Sequence, residues 1–482
     1  MQRMFPPTAC LAILVSPLVS CSPTVKVIRI EQTPGDGIFR LVRTKLDVRV
    51  ADFEAALYED ELGYPRIDFK RFDRDGSKEV LKTFDAVILE NKYLKLTLLP
   101  GKGKPYSLIY KVTGHEEFFI PAVAQPLGSP NALGWWFALG GVEYTLPDSE
   151  HGDTWAAKWE WEVVEDSPAR KTVRMKVKEL RNGLEETIGI SVYPDKAYYQ
   201  ADLEIVNPTV APVEFQHWIN PMWAPGGEGE ITLRTEFVVP TRRVHVTERK
   251  FNDWMLVYHP KRSRLQSYDA SPLRFLLGWK GTGDLLAVEL EHGFYSAFSH
   301  DRNEGVVRVF PPDRCPGLNI WAWGVDPEPG TRRRFSGSEG CRGYVEMWGG
   351  VTHGFDEYHR LGPGESIQWT EWMYPYAGTG GLHYADKDLA VTFTRFPGGE
   401  HRLAFCPSGD LKGVEFRVVP VGTDETRLRV VVDAAHPGQR PVESSTRADG
   451  NMELLVLKDG KEVVRLPARV PPEFPVLKPS GK

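Results

Sequence analysis

Along most of the chain apolar residues fall at every second position, the spacing of a strand with one face buried. Leu94, Leu96 and Leu98 alternate with Lys95 and Thr97, and Val173, Met175 and Val177 alternate with Arg174 and Lys176. Tyr199, Ala201, Leu203 and Ile205 repeat the pattern up to Asn207-Pro208, a pair that ends a strand because proline has no N–H for the ladder. Further on, Leu454 to Leu457 and Val463 to Leu466 flank Lys458-Asp459-Gly460-Lys461, which predicts a hairpin closed by an Asp-Gly turn. Helical spacing is confined to the short stretch 52–61. The pattern predicts an all-β protein. It breaks at 374–381, where glycines cluster, and all fourteen tryptophans lie between Trp135 and Trp372. The remainder reads as a small, separate C-terminal β-sandwich over 386–482. Before it come a main domain over 81–380 and an N-terminal β segment over 22–80 that packs on the main domain.

The first twenty residues stand apart. Arg3 precedes the apolar run Ala9-Cys10-Leu11-Ala12-Ile13-Leu14-Val15, too short to span a bilayer and of the length of an export signal. The run leads to Leu18-Val19-Ser20-Cys21, which resembles the lipobox of bacterial lipoproteins. The expectation is a signal peptide over 1–20, lipidation at Cys21, and an envelope protein whose only contact with the membrane is its lipid anchor. Cys315, Cys341 and Cys406 then remain, and a bridge between Cys315 and Cys341 is one option for an exported chain. In 482 residues, 65 acidic against 59 basic side chains leave a net charge of −6, which gives no general electrostatic case for nucleic acid. Fourteen tryptophans and seventeen tyrosines are flat surface in excess, suited to a saccharide cleft and equally to packing.

Candidate chemistry sits in the tryptophan-rich region. Gly140-Gly141-Val142-Glu143 leads into Glu150-His151-Gly152-Asp153; Gln216-His217-Trp218-Ile219-Asn220 closes a strand; Leu318-Asn319-Ile320-Trp321-Ala322-Trp323 is an aromatic strand. In Tyr344-Val345-Glu346-Met347-Trp348 a carboxylate stands inside an apolar strand, a costly place unless it has a partner or a task. No zinc spacing, nucleotide loop or nucleophile elbow is present, so neither metal nor cofactor is expected.

These segments carry a family resemblance. Leu89-Glu90-Asn91-Lys92-Tyr93-Leu94-Lys95-Leu96-Thr97, then Pro100 and Tyr106-Ser107-Leu108, resemble the opening strands of the aldose 1-epimerase-like superfamily. Gly-Gly-x-Glu at 140–143, Trp-x-Trp-Gly at 321–324, and the Glu346 strand followed by Leu361-Gly362-Pro363-Gly364-Glu365 are similar to a branch often found with tetratricopeptide repeats. The resemblance covers about 80–380. It implies a galactose-mutarotase-like β-supersandwich and a sugar or oligosaccharide ligand. It also implies a catalytic set of His151, His217 and Glu346, with Glu as base and His as acid at pKa values near neutrality. Glu143, Asp153 and Lys104 are then ligand-binding candidates, as are Trp136, Trp218, Trp321 and Trp323. Lys104 stands roughly where an Arg usually follows the first turn of that fold.

Each candidate has a plainer reading. His151 suits a solvated turn, His217 a hydrogen-bonded core histidine, and Glu346 an ion pair with an Arg such as Arg342. The basic groups at 242–250, 261–264 and 332–334 suit solvated loops; converging on a cleft, they would favour an anionic glycan. Three functions stay open: an isomerase of the epimerase type, a glycan-binding lipoprotein without turnover, and a hydrolase or lyase. Hydrolysis would need facing carboxylates, for which Glu346 with Glu143 or Asp153 is the candidate pair.

Overall fold

The computed structural model describes residues 24–29, 37–72, 77–148, 150–227, 231–338, 340–437 and 441–475. The export signal and Cys21 lie outside them. The fold is all-β. Two antiparallel sheets, one of twelve strands and one of eight, face each other in the main domain. Alternation decides which side chains lie between them. Val173, Met175 and Val177 are buried while Arg174 and Lys176 project to solvent. Tyr199, Ala201, Leu203 and Ile205 are buried in the same way.

Asn207, which ends that last strand, is buried and donates to the carbonyls of Ala211, Leu361 and Gly362. Glu365 accepts the Gly362 N–H at 2.6 Å. The Leu-Gly-Pro-Gly-Glu motif is thus a turn stapled to the end of a neighbouring strand.

The C-terminal sandwich pairs a five-stranded with a four-stranded sheet. Its hairpin joins Met452–Lys458 to Lys461–Pro467. Asp459 and Gly460 have φ of +50° and +76°, both positive as the tightest hairpin turn requires. The sandwich is not an appendage: its core is continuous with Phe294, Phe298, Val307, Tyr374 and Tyr376 of the eight-stranded sheet.

Two sequence expectations are corrected, and one option left open is decided. The stretch 52–61 is not a helix beyond the single 3-10 turn Glu54–Ala56. Asp60 Oδ1 accepts the N–H groups of Leu62 and Tyr64, folding Leu57–Glu59 back on Pro65–Ile67 as a hairpin; local side-chain turn chemistry outweighs weak helical spacing. The segment 22–80 is divided between the domains. Thr24–Arg29 lies parallel to Leu428–Ala434 in the C-terminal sandwich, whereas Arg40–Ala51 pairs with Glu79–Glu90 in the main sheet. As for the option left open, Cys315 and Cys341 are not bridged to each other; both are buried and outside any disulfide, as is Cys406.

Candidate active site

The site lies on the side of the twelve-stranded sheet turned away from the eight-stranded one. Val345–Gly350 sits between Trp218–Gly227 and Gly317–Ala322. Its odd positions face inward, where Gly349 leaves room for the buried guanidinium of Arg308. Its even positions, Glu346 and Trp348, therefore face outward. Register does the rest. Glu346 stands opposite Trp321, Trp348 opposite Asn319, and Asp284 opposite Trp321. Glu143 stands opposite Asn220 on the neighbouring pair. Glu143 is delivered by Gly140 and Gly141, whose φ are +83° and +74°. A Cβ on Gly141 would meet the Pro105 carbonyl oxygen at 2.3 Å, so only glycine lets that loop close against the sheet.

His151 arrives from a loop in an uncommon conformation. Glu150, His151 and Gly152 have φ of +29°, +72° and +54°, and a Cβ on Gly152 would lie 2.6 Å from the Leu146 backbone. Non-glycine residues held this way cost on the order of 1 kcal/mol or more each and persist where the surroundings over-determine them. Here the surroundings do so. Trp136 stacks flat on the imidazole at 3.8 Å and 6°, and Trp348 meets it edge-on at 5.0 Å. Nδ1 lies 2.8 Å from Glu143 Oε2. With Nδ1–H donating to that carboxylate, Nε2 is the ring nitrogen left for a ligand. Glu143 Oε1 takes Lys104 Nζ at 3.3 Å. Burial alone would raise the Glu143 pKa, but Lys104 and His151 outweigh it and hold the carboxyl below its usual range.

Glu346 is treated differently. It is 4% exposed, and among the described residues no Lys or Arg pairs with it. Its Oε2 accepts Trp348 Nε1–H at 2.9 Å. Burial pushes the carboxyl up to about 7, a rise limited by His151, Trp348 and Asn220 and increased by the Glu143 charge. Trp348 thus touches both groups, its ring against His151 and its N–H on Glu346.

The cavity that these residues line has a volume of about 120 Å³. Trp136, Trp321 and Trp348 supply flat walls; Asp284, Asn319 and Arg249 add polar groups. Asp284 is held by Thr247 Oγ1 at 2.7 Å and by Asn252. Arg249 pairs with Glu150 and reaches Asp284 Oδ2 at 3.8 Å.

The structure therefore brings together His151, Glu346, Trp136 and Trp321, with Glu143 and Lys104 directly behind His151. It does not bring the others. His217 precedes its strand with inward parity: it is fully buried between the sheets, its Nε2 2.7 Å from Glu186 Oε1 and its ring edge-on to Trp369. Trp218 has the outward parity but is covered by Phe355 at 4.4 Å. Trp323 is buried among Phe119, Tyr344 and Phe335. Asp153 is fully buried in an ion cluster with Arg181 and Asp148. Of the two carboxylates considered as partners for Glu346, Asp153 is elsewhere and Glu143 is committed to Lys104 and His151. Of the basic groups only Arg249 reaches the cavity, already ion-paired.

Fold and site together define an all-β supersandwich with a carboxylate and an anchored imidazole on its outer sheet face. The chain belongs to the family described as Domain of unknown function (DUF5107), which matches residues 63–375. Among solved structures it is similar to a TPR-domain containing protein from Parabacteroides distasonis, at 17% identity and a TM-score of 0.54. That match covers 71% of this chain and 56% of the other, so the chain spans little more than half of that relative. A galactose mutarotase-like protein from Clostridium acetobutylicum matches at 9% identity and a TM-score of 0.44, over 61% of this chain and 96% of that one. Another from Lactobacillus casei matches at 10% and 0.40, over 60% and 99%.

Proposed function

We propose that this chain is a carbohydrate-active envelope lipoprotein whose cavity interconverts the anomers of a reducing sugar end. The observation that carries the reading is Glu346: a carboxylate with which no Lys or Arg pairs among the described residues, tuned to about 7, on the wall of an aromatic cavity that it shares with an imidazole anchored through its far nitrogen. Ionised Glu346 takes the proton from the anomeric hydroxyl while His151, acting as the imidazolium with its Nδ1–H on Glu143, gives its Nε2 proton to the ring oxygen and is left neutral. The bond from C1 to the ring oxygen breaks, the open-chain aldehyde turns about C1–C2, and reclosure returns both protons. A carboxyl poised near neutral pH serves as base in one direction and as acid in the other. Trp136 and Trp321 offer platforms for the apolar face of a pyranose. The export signal and Cys21 read from the sequence support the envelope location.

The test is proton NMR of residues 22–482 with reducing sugars and oligosaccharides, following anomer exchange and bond cleavage. Exchange supports the reading. Cleavage products would move the assignment to a hydrolase or lyase, and saturable line broadening without turnover to a glycan-binding protein. Two further results are expected. The rate constant kcat/KM should rise with pH through about 7, because the base must lose its proton; a flat profile from pH 5.5 to 8.5 would remove Glu346 from that role. Glu143→Gln should lower kcat about 10²-fold with little change in KM, since it frees His151 without touching the cavity wall. Steady-state kinetics with circular dichroism as the folding control would show that split.

A further inference from the structure

A second cavity, of about 560 Å³, opens where the C-terminal sandwich meets the main domain, and it shares no residue with the Glu346 cavity. One part of its lining is charge-matched within itself. Buried Glu236 pairs with Arg274 and lies 2.8 Å from His300 Nε2, and these two partners outweigh its burial and hold it down to about 2.

Two donors face the same cavity without such a match. Arg469 is fixed by its backbone, its N–H donating to the Phe393 carbonyl and its own carbonyl accepting from Arg395 N–H. Its guanidinium has no carboxylate within ion-pair distance among the described residues; Glu236, Asp269 and Glu291 attract it only from farther off, while burial and the Arg274 charge work against it. A guanidinium cannot escape by losing its proton, so the uncompensated charge persists until an anion meets it. His383 accepts the Phe393 N–H on Nδ1 at 3.0 Å. Its neutral ring must then carry the proton on Nε2, which has no protein partner among the described residues. Burial and Arg469 hold this imidazole well below its usual range, so it remains a neutral donor at physiological pH.

We infer that this interdomain cavity is a binding site for an organic oxyanion of acidic-sugar size, with the Arg469 fork on a carboxylate or sulfate and His383 Nε2–H donating to the same group. The volume lies within the ~300–1,000 Å³ of small-molecule sites, beyond what a lone inorganic anion fills. A planar guanidinium fork matches a planar carboxylate or a sulfate edge.

Calorimetric titration of the wild type, Glu346→Gln and Arg469→Gln with glucuronate, glucose 6-sulfate and neutral glucose tests this. The expected result is saturable binding of one charged sugar to the wild type and to Glu346→Gln, weakened at least tenfold in Arg469→Gln, with glucose not bound there. The better ligand of the two identifies the carboxylate or the sulfate ester as the recognised group. Without ligand, Arg469→Gln should melt no lower than the wild type, because it removes a charge that Arg274 repels. No charged sugar binding to the wild type, equal binding to Arg469→Gln, or a lowered melting temperature of the unliganded variant would each overturn the assignment. Persistence in Glu346→Gln separates this site from the fate of the catalytic reading.

Discussion

Glu346→Gln is expected to abolish anomer exchange, by about 10³-fold or more, and at the same time to make the protein more stable than the wild type above neutral pH. The two effects have one origin. General-base catalysis contributes roughly 10²–10⁴-fold, and the amide cannot take a proton. Stability follows from the carboxyl's folded pKa of about 7 against 4.5 for the free group. Between those values the folded state holds a proton that the unfolded state has released, so wild-type stability falls as pH rises from 4.5 to about 7 and stays reduced above. A shift of that size corresponds to about 3 kcal/mol, and glutamine has no proton to lose. Urea melts of both proteins at pH 5 and pH 8 would show the gap opening in favour of the variant. If the two proteins ran parallel across that range, Glu346 would be an ordinary satisfied carboxylate and the proposed chemistry would lose its base.

The second large effect lies on the other face of the same strand. Arg308 is fully buried between the sheets, its Nε 3.0 Å from Glu371 Oε2 and its Nη1 donating to the Tyr295 hydroxyl at 2.9 Å. It lies under Gly349, three residues from Glu346. Glu371→Gln removes the only charge that pairs with it among the described residues. Leaving a buried charge uncompensated costs about 3–5 kcal/mol, whereas replacing both partners with apolar side chains is often nearly neutral. Glu371→Gln should therefore unfold at markedly lower denaturant, and Arg308→Met with Glu371→Leu should recover most of the loss. A single variant within about 1 kcal/mol of wild type would mean that the guanidinium finds other acceptors or water.

Much of this was legible because alternation does two jobs. It marks strands, and it says which neighbours share a face. Glu346 and Trp348 are two apart, as are Asn319 and Trp321, so the outward row could be counted from the sequence; Trp348 was within reach of that reasoning and was missed. Parity also separates His217 from the site, since it counts inward with Ile219 and Trp223. What alternation cannot show is which outward residues are then covered. Trp218 lies beneath Phe355 and Trp323 beside Phe335, both side chains from segments outside the strands that bury them. Arg249 was legible only as one member of the basic group at 242–250, because a loop residue between two strands carries no period that would single it out. Asp284 left a faint one, a charge opening the apolar strand Gly283–Ala287.

The parallel pairing of Thr24–Arg29 with Leu428–Ala434 imposes an order on biosynthesis. Partners some four hundred positions apart in the chain cannot meet until nearly all of it has been made, and contacts of such separation are the slow ones. The main domain, whose own sheet neighbours are mostly closer in sequence, can assemble first. During that interval the first strand waits without its partner, a free ladder open to mispairing with other chains. The C-terminal sandwich can therefore gain its first strand only after residues 428–434 have been made, so this pairing depends on two widely separated parts of the chain.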